Sequence, residues 1–185
     1  MKNQPISKWP PELIPWDSDW DKYNEKIFEH YKEYYCSNKK LYFDGMQVKT
    51  RRYPIQNGKY GGYWHIIGGN DGIPDRKRCE RLLWARVLIE HYELDEVLVW
   101  EEPSRHDGSI KDVVFWAREL NYYAILAKRN GYWVLRSAYY IEYDSKKVQL
   151  DQAYKKYGPY KTRIASKTDD SDPSVYDSVD ELSSL

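Results

Sequence analysis

Cysteine is scarce in this chain of 185 residues: Cys36 and Cys79 are its only two, far apart and in no metal-ligand spacing. That argues against a disulfide scaffold and a zinc site, and a chain of this length can bury a core without either. No apolar run approaches a membrane span, and the opening MKNQPISKWPPELIPW has charge and prolines where a secretory leader would be apolar. A soluble, cytoplasmic protein with no membrane partner is expected. Neither GxGxxG nor GxxxxGK[ST] occurs, which removes the common glycine-rich phosphate loops. Histidine is also sparse, so imidazole chemistry has only His30, His65, His91 and His106 to draw on.

Aromatics of one kind are abundant: 8 Trp and 19 Tyr stand against 3 Phe. Such amphipathic rings suit half-buried sheet positions and surfaces that stack on bases. Formal net charge is zero, yet residues 168–185 hold six acids and no base, leaving 29 basic against 23 acidic residues in 1–167, a net of +6. A basic body with an acidic tail suits a polyanion surface, the tail being either a solubilising end or a competitor for it.

Residues 1–15 read as a Pro-rich arm, 16–165 as one α+β domain, and 166–185 as an acidic tail. Trp20, Tyr23, Ile27 and Tyr31 recur at helical steps within 17–37, behind capping residues Asp17, Ser18 and Asp19. Asp44-Gly45 predicts a two-residue hairpin, GGYWHIIGG a short extended segment, 74–92 a helix, and 96–100 and 113–119 strands. Asn130-Gly131 predicts a type I′ hairpin, and 145–157 a last helix. The order implies an α+β fold: an antiparallel sheet of about four to six strands with N-terminal helices packed on one face.

The helix expected at 74–92 opens on Arg76-Lys77-Arg78-Cys79-Glu80-Arg81. Cations at a helix N-terminus oppose its dipole at about 0.3–1 kcal/mol each, and a bound anion there reverses the sign. On a helical wheel Arg86 and Glu90 pair and mark the solvent face. Arg81 falls opposite, beside Trp84, Ala85 and Leu88, where it needs a phosphate or a core carboxylate such as Glu101 or Glu102. His65, between two glycine pairs, can titrate near neutral pH. Regular pairing across the last hairpin sets Ala124 opposite Ser137 and Tyr122 opposite Tyr139. Trp133, Leu135, Ser137 and Tyr139 then share one face, and Val134, Arg136, Ala138 and Tyr140 the other.

FDGMQV, NGKYGGYWHIIGG, RKRCERLLWARVLIEHY and YYAILAKRNGYWVLRSAYYIE together resemble the phage- and mobile-element-borne branch of the barnase, EndoU, colicin and RelE-like nuclease superfamily, over residues 20–157. The resemblance implies metal-independent RNA cleavage by attack of the 2′-hydroxyl on the adjacent phosphate, with no cofactor. His65 matches the aromatic-His element, Arg76 and Arg81 the spaced arginines, and Ser137 with Tyr139 the Thr-Ala-Tyr element, Ser137 standing where Thr is usual. Lys59, Arg78, Arg118, Arg136 and Tyr140 are candidate substrate contacts. RNA is the expected partner, as tRNA or ribosome-bound mRNA, together with a cognate antitoxin or immunity protein. Geometrically, His65 and Arg81 should face one cleft near Ser137 or Tyr139. Two other readings use the same residues: a non-catalytic module that holds nucleic acid or a host protein, and an ADP-ribosyltransferase built on His65, Tyr139, Tyr140 and Glu142.

Overall fold

The computed structural model describes residues 8–69, 72–104, 108 and 110–160, so residues 1–7 of the arm, His106 and the acidic tail lie outside the described residues. Helix α1 (Trp20–Tyr31) begins where the Asp19 carboxylate accepts the Lys22 N–H at 3.2 Å, and it buries Tyr23, Ile27 and Tyr31 at steps of four. The expected continuation to Ser37 is instead a π-helical turn over Lys32–Cys36. Tyr35, within that turn, stacks on Tyr31 and donates its hydroxyl to the Leu82 carbonyl at 2.7 Å.

Strands β1 (Leu41–Phe43) and β2 (Met46–Lys49) form the hairpin expected at Asp44-Gly45, where both turn residues have left-handed φ, 46° and 76°. A second hairpin, β3 (Ile55–Gln56) with β4 (Lys59–Tyr60), turns at Asn57-Gly58. Next, the segment expected to be extended is helix α2 (Gly61–Ile67). Its aromatic and β-branched content suggests a strand, but the buried set is Tyr63, Ile66 and Ile67, spaced to share one helical face.

The helix expected over 74–92 divides into α3 (Arg76–Glu80) and α4 (Trp84–Glu90). Between them the Leu82 N–H bonds the Cys79 carbonyl and the Trp84 N–H bonds the Arg81 carbonyl, both i to i+3. Such tight turns rotate about 20° more per residue than an α-helix, so a wheel drawn through them misplaces every later residue. Arg86 does pair with Glu90 at 2.8 Å, but the side chains are 4% and 0% exposed, a buried pair rather than a solvent face.

Strands β5 (Val97–Pro103), β6 (Lys111–Ala117), β7 (Tyr122–Arg129) and β8 (Tyr132–Tyr140) form an antiparallel run. The six-stranded sheet has the order β1-β2-β8-β7-β6-β5, and β2 lies parallel to β8, so the α+β fold holds a mixed sheet rather than an antiparallel one. Trp133, Phe43 and Phe115 pack on one face with α1, α2 and α4. Helix α5 (Asp144–Tyr157) covers the other face, setting Leu150, Ala153 and Tyr154 against Trp100, Val114 and Trp116. Helices therefore lie on both faces, because β5 to β7 carry apolar side chains on both sides of the pleat. Residues 8–15 form a strap on the α3–α4 unit, with Ile14 N–H bonded to the Glu80 carbonyl at 2.9 Å and Trp9 edge-on to Trp84.

Candidate functional site

Strand β2 pairs with β8 only at residues 132–134, which leaves the rest of that edge of β8 to α2 and α3. There β8 carries a bulge. Leu126 lies opposite Leu135 but Ile125 lies opposite Ser137, so Arg136 is the extra residue. The register expected from the hairpin fails beyond this point: Ala124 faces Ala138 and Tyr122 faces Tyr140. Ala138 and Tyr140 thus join Trp133 and Leu135 on the α1 side, whereas Tyr139 turns to the α5 side. The turn itself also differs from type I′, since Gly131 has φ 79° while Asn130 is not among the left-handed residues.

The carbonyl of the bulged Arg136 accepts a hydrogen bond from His65 Nε2. That bond fixes the neutral tautomer, with the proton on Nε2 and the lone pair on Nδ1, which has no partner among the described residues. His65 keeps an exposed edge to solvent, yet partial desolvation against the wall of the cleft, first, and then the charges of Arg51, Arg78 and Arg136 hold its pKa below the ordinary 6.5, outweighing the opposing effect of the carbonyl bond. His65 is therefore neutral at pH 7.

Arg78, from α3, lies over the Tyr139 ring at 3.8 Å and donates Nη1–H to the Gly68 carbonyl. Its other guanidinium N–H groups have no partner among the described residues. Tyr139 in turn stacks on Tyr123 at 5.3 Å, and Lys146 lies over Tyr123 at 4.9 Å, so two cations enclose a pair of rings. Arg78 and Tyr139 separate two adjoining clefts and line both. The smaller, about 300 Å³, holds His65, Arg51, Tyr53 and Trp64. The larger, about 550 Å³, holds Ser137, Arg136, Tyr140, Lys77, Lys146 and Glu142 among others. Tyr139 donates to Ser137 Oγ at 3.3 Å, and Arg136 is paired with buried Asp112 and bonded to Ser104.

The expected residues divide accordingly. His65, Arg78, Arg136, Ser137, Tyr139 and Tyr140 gather at the two clefts. Arg81 lines neither: it stacks on Tyr140 at 4.3 Å and donates to the Lys77 carbonyl, with no carboxylate partner among the described residues. Glu101 pairs with Lys111 and Glu102 accepts from Trp100 instead. Arg76 pairs with Glu80 at 2.8 Å, over Trp16. Lys59 is buried against Phe28 and paired with Glu25, and Arg118 pairs with Asp151 at 3.0 Å. Nor is the start of α3 an open anion site, because Asp75 caps it and accepts the Arg78 N–H at 2.9 Å. Glu142 of the ADP-ribosyltransferase pattern is paired with Lys77 at 2.7 Å, and His65 lies in the other cleft. The chain matches no family model, no curated protein and no solved structure.

Three residues that motif and spacing do not single out, Arg51, Tyr53 and Trp64, share the cleft of His65. One signal for them is present in the sequence: Asn57-Gly58 closes a hairpin that carries the chain from Tyr53 back toward α2.

Proposed function

We propose that this protein cleaves single-stranded RNA by attack of a ribose 2′-hydroxyl on the adjacent phosphodiester. In this reading His65 Nδ1 takes the 2′-hydroxyl proton, the free N–H groups of Arg78 hold the phosphate oxygens as negative charge builds, and the Tyr139 hydroxyl protonates the leaving 5′-oxygen. The products are a 2′,3′-cyclic phosphate and a 5′-hydroxyl. The observation that carries the reading is the tautomer-fixed, neutral His65 in one cleft with a guanidinium seated on Tyr139. Support comes also from the resemblance of the His65, arginine and last-hairpin segments to RNA-cleaving proteins, with Arg78 rather than Arg76 or Arg81 supplying the positive charge at the cleft.

The test is incubation of the full chain with a fluorogenic RNA pool, with and without ribosomes, and with its 2′-deoxy counterpart. Cleavage of RNA alone, ending in 2′,3′-cyclic phosphate and abolished by His65→Ala, is the expected result. Salt-dependent RNA binding without cleaved ends would overturn the enzymatic reading and leave the binding-module one. Cleavage unaffected by His65→Ala would remove the assigned base.

A further inference from the structure

The 51–54 segment is held in an unusual way for a surface loop. Gly61 and Gly62 open α2, and their N–H groups donate to the carbonyls of Arg52 (3.3 Å) and Arg51 (2.7 Å). A Cβ on Gly62 would stand 2.6 Å from the Arg51 carbonyl oxygen, and one on Gly61 would stand 2.7 Å from that of Tyr53. Glycine is the poorest helix former after proline, so two of them at the start of a helix of seven residues do not favour it locally. In return the backbone of 51–53 lies directly on the helix that carries His65.

That contact holds Tyr53 76% exposed, with no ring contact and no side-chain hydrogen bond among the described residues. The ring contributes no packing to either core cluster. Trp64, one residue before His65, lines the same cleft. Its indole is fixed by an Nε1–H bond to the Gln56 carbonyl at 2.9 Å and by edge contact with Tyr63. Arg51, Arg78, His65 and Tyr139 also line it, so the cleft joins aromatic surface to positive charge. An apolar partner segment would leave two guanidinium groups desolvated, whereas an unpaired nucleotide uses both kinds of surface: base on ring, phosphate on arginine.

We infer that Tyr53 and Trp64 form a stacking subsite for one unpaired nucleobase, next to the phosphate position at Arg78 and His65. It rests on the RNA reading above but not on catalysis. Stacking on an aromatic side chain tolerates every base, so the subsite selects single strands over duplexes rather than a sequence.

The experiment is titration of the full chain with a 2′-fluoro RNA hexanucleotide, which lacks the attacking hydroxyl, with 2-aminopurine or an abasic site placed at each position in turn. Wild type is expected to quench 2-aminopurine at one position and to lose affinity when that position is abasic. Tyr53→Leu should weaken binding about tenfold and abolish both effects, while Tyr53→Phe stays within about twofold of wild type. A structural role for Tyr53 would lower affinity without removing the abasic penalty. Unchanged binding by Tyr53→Leu, or an abasic penalty that persists in it, overturns the subsite. Tyr53-dependent stacking together with no cleavage of ordinary RNA leaves the subsite standing and removes the ribonuclease reading. His65-dependent cleavage with Tyr53-independent binding does the reverse.

Discussion

An imidazole whose Nε2–H is committed to a backbone carbonyl exchanges its proton at Nδ1 alone, so His65 works as a base only while neutral. In the proposed reaction its lowered pKa would set the acid limb: kcat/KM should rise with pH and level off, with a midpoint below 6.5. Arg51→Ala removes one of the charges that hold it down, so the midpoint should move upward in a pH–rate profile. The same shift bears on stability. A group whose folded pKa is depressed contributes fully above its unfolded value near 6.5 and loses that contribution as pH falls toward the folded one. His65→Ala should lower turnover by about 10²–10⁴ while the far-ultraviolet circular dichroism stays unchanged. For the arginines a contrast is expected in the same assay. Arg78→Ala costs about 100-fold, and Arg78→Lys recovers little because a lysine replaces neither the planar stack nor the fork; Arg81→Ala costs less than about threefold. Equal losses at 78 and 81 would show that the wrong arginine faces the phosphate.

Among the elements, three local departures from regularity build the site: the tight turn between α3 and α4, the bulge at Arg136, and the glycine contact beneath residues 51–53. Each replaces a regular continuation by one that aims a side chain elsewhere. Gly62→Ala tests the last of these. The added methyl meets the Arg51 backbone and also the Tyr31 hydroxyl, 2.7 Å away, so something must shift. A loss of about 1–3 kcal/mol in a denaturant titration is expected, with weaker RNA binding at temperatures where the variant is still folded. Wild-type stability in that variant would mean the segment yields freely, and that Tyr53 and Arg51 are not held in the cleft of His65. Much of this level is readable along the chain. The buried set of α1 and the turn at Asp44-Gly45 come from spacing and turn chemistry alone, whereas α2 escapes because its residue types favour a strand while its spacing favours a helix.

Across the protein as a whole, the sheet carries apolar side chains on both faces, and the buried Arg86–Glu90 pair lies within the α1 side of the core. Arg86 also donates to the Tyr34 carbonyl, which ties α4 to the π-helical turn. Glu90→Ala leaves the buried Arg86 charge without its carboxylate, with the Tyr34 carbonyl as the remaining acceptor of its side chain, a loss of about 3–5 kcal/mol. For a domain of this size that is a fall in Tm of about 6–20 °C by calorimetry, and a shift under about 2 °C would mean that Arg86 finds water or another acceptor. Residue order alone was enough for the α+β class, the places of the hairpins at Asp44-Gly45 and Asn130-Gly131, most strand positions and the pool of basic and aromatic residues from which a site is drawn. These depend on local spacing and turn geometry, which few residues suffice to specify. Long-range packing was needed to establish that β2 runs parallel to β8, that α5 covers the second face, and that Arg78 rather than Arg81 meets Tyr139. The reason is common to all three: each depends on a contact between distant segments or on a change of phase within an element, and a periodicity read along the chain assumes neither.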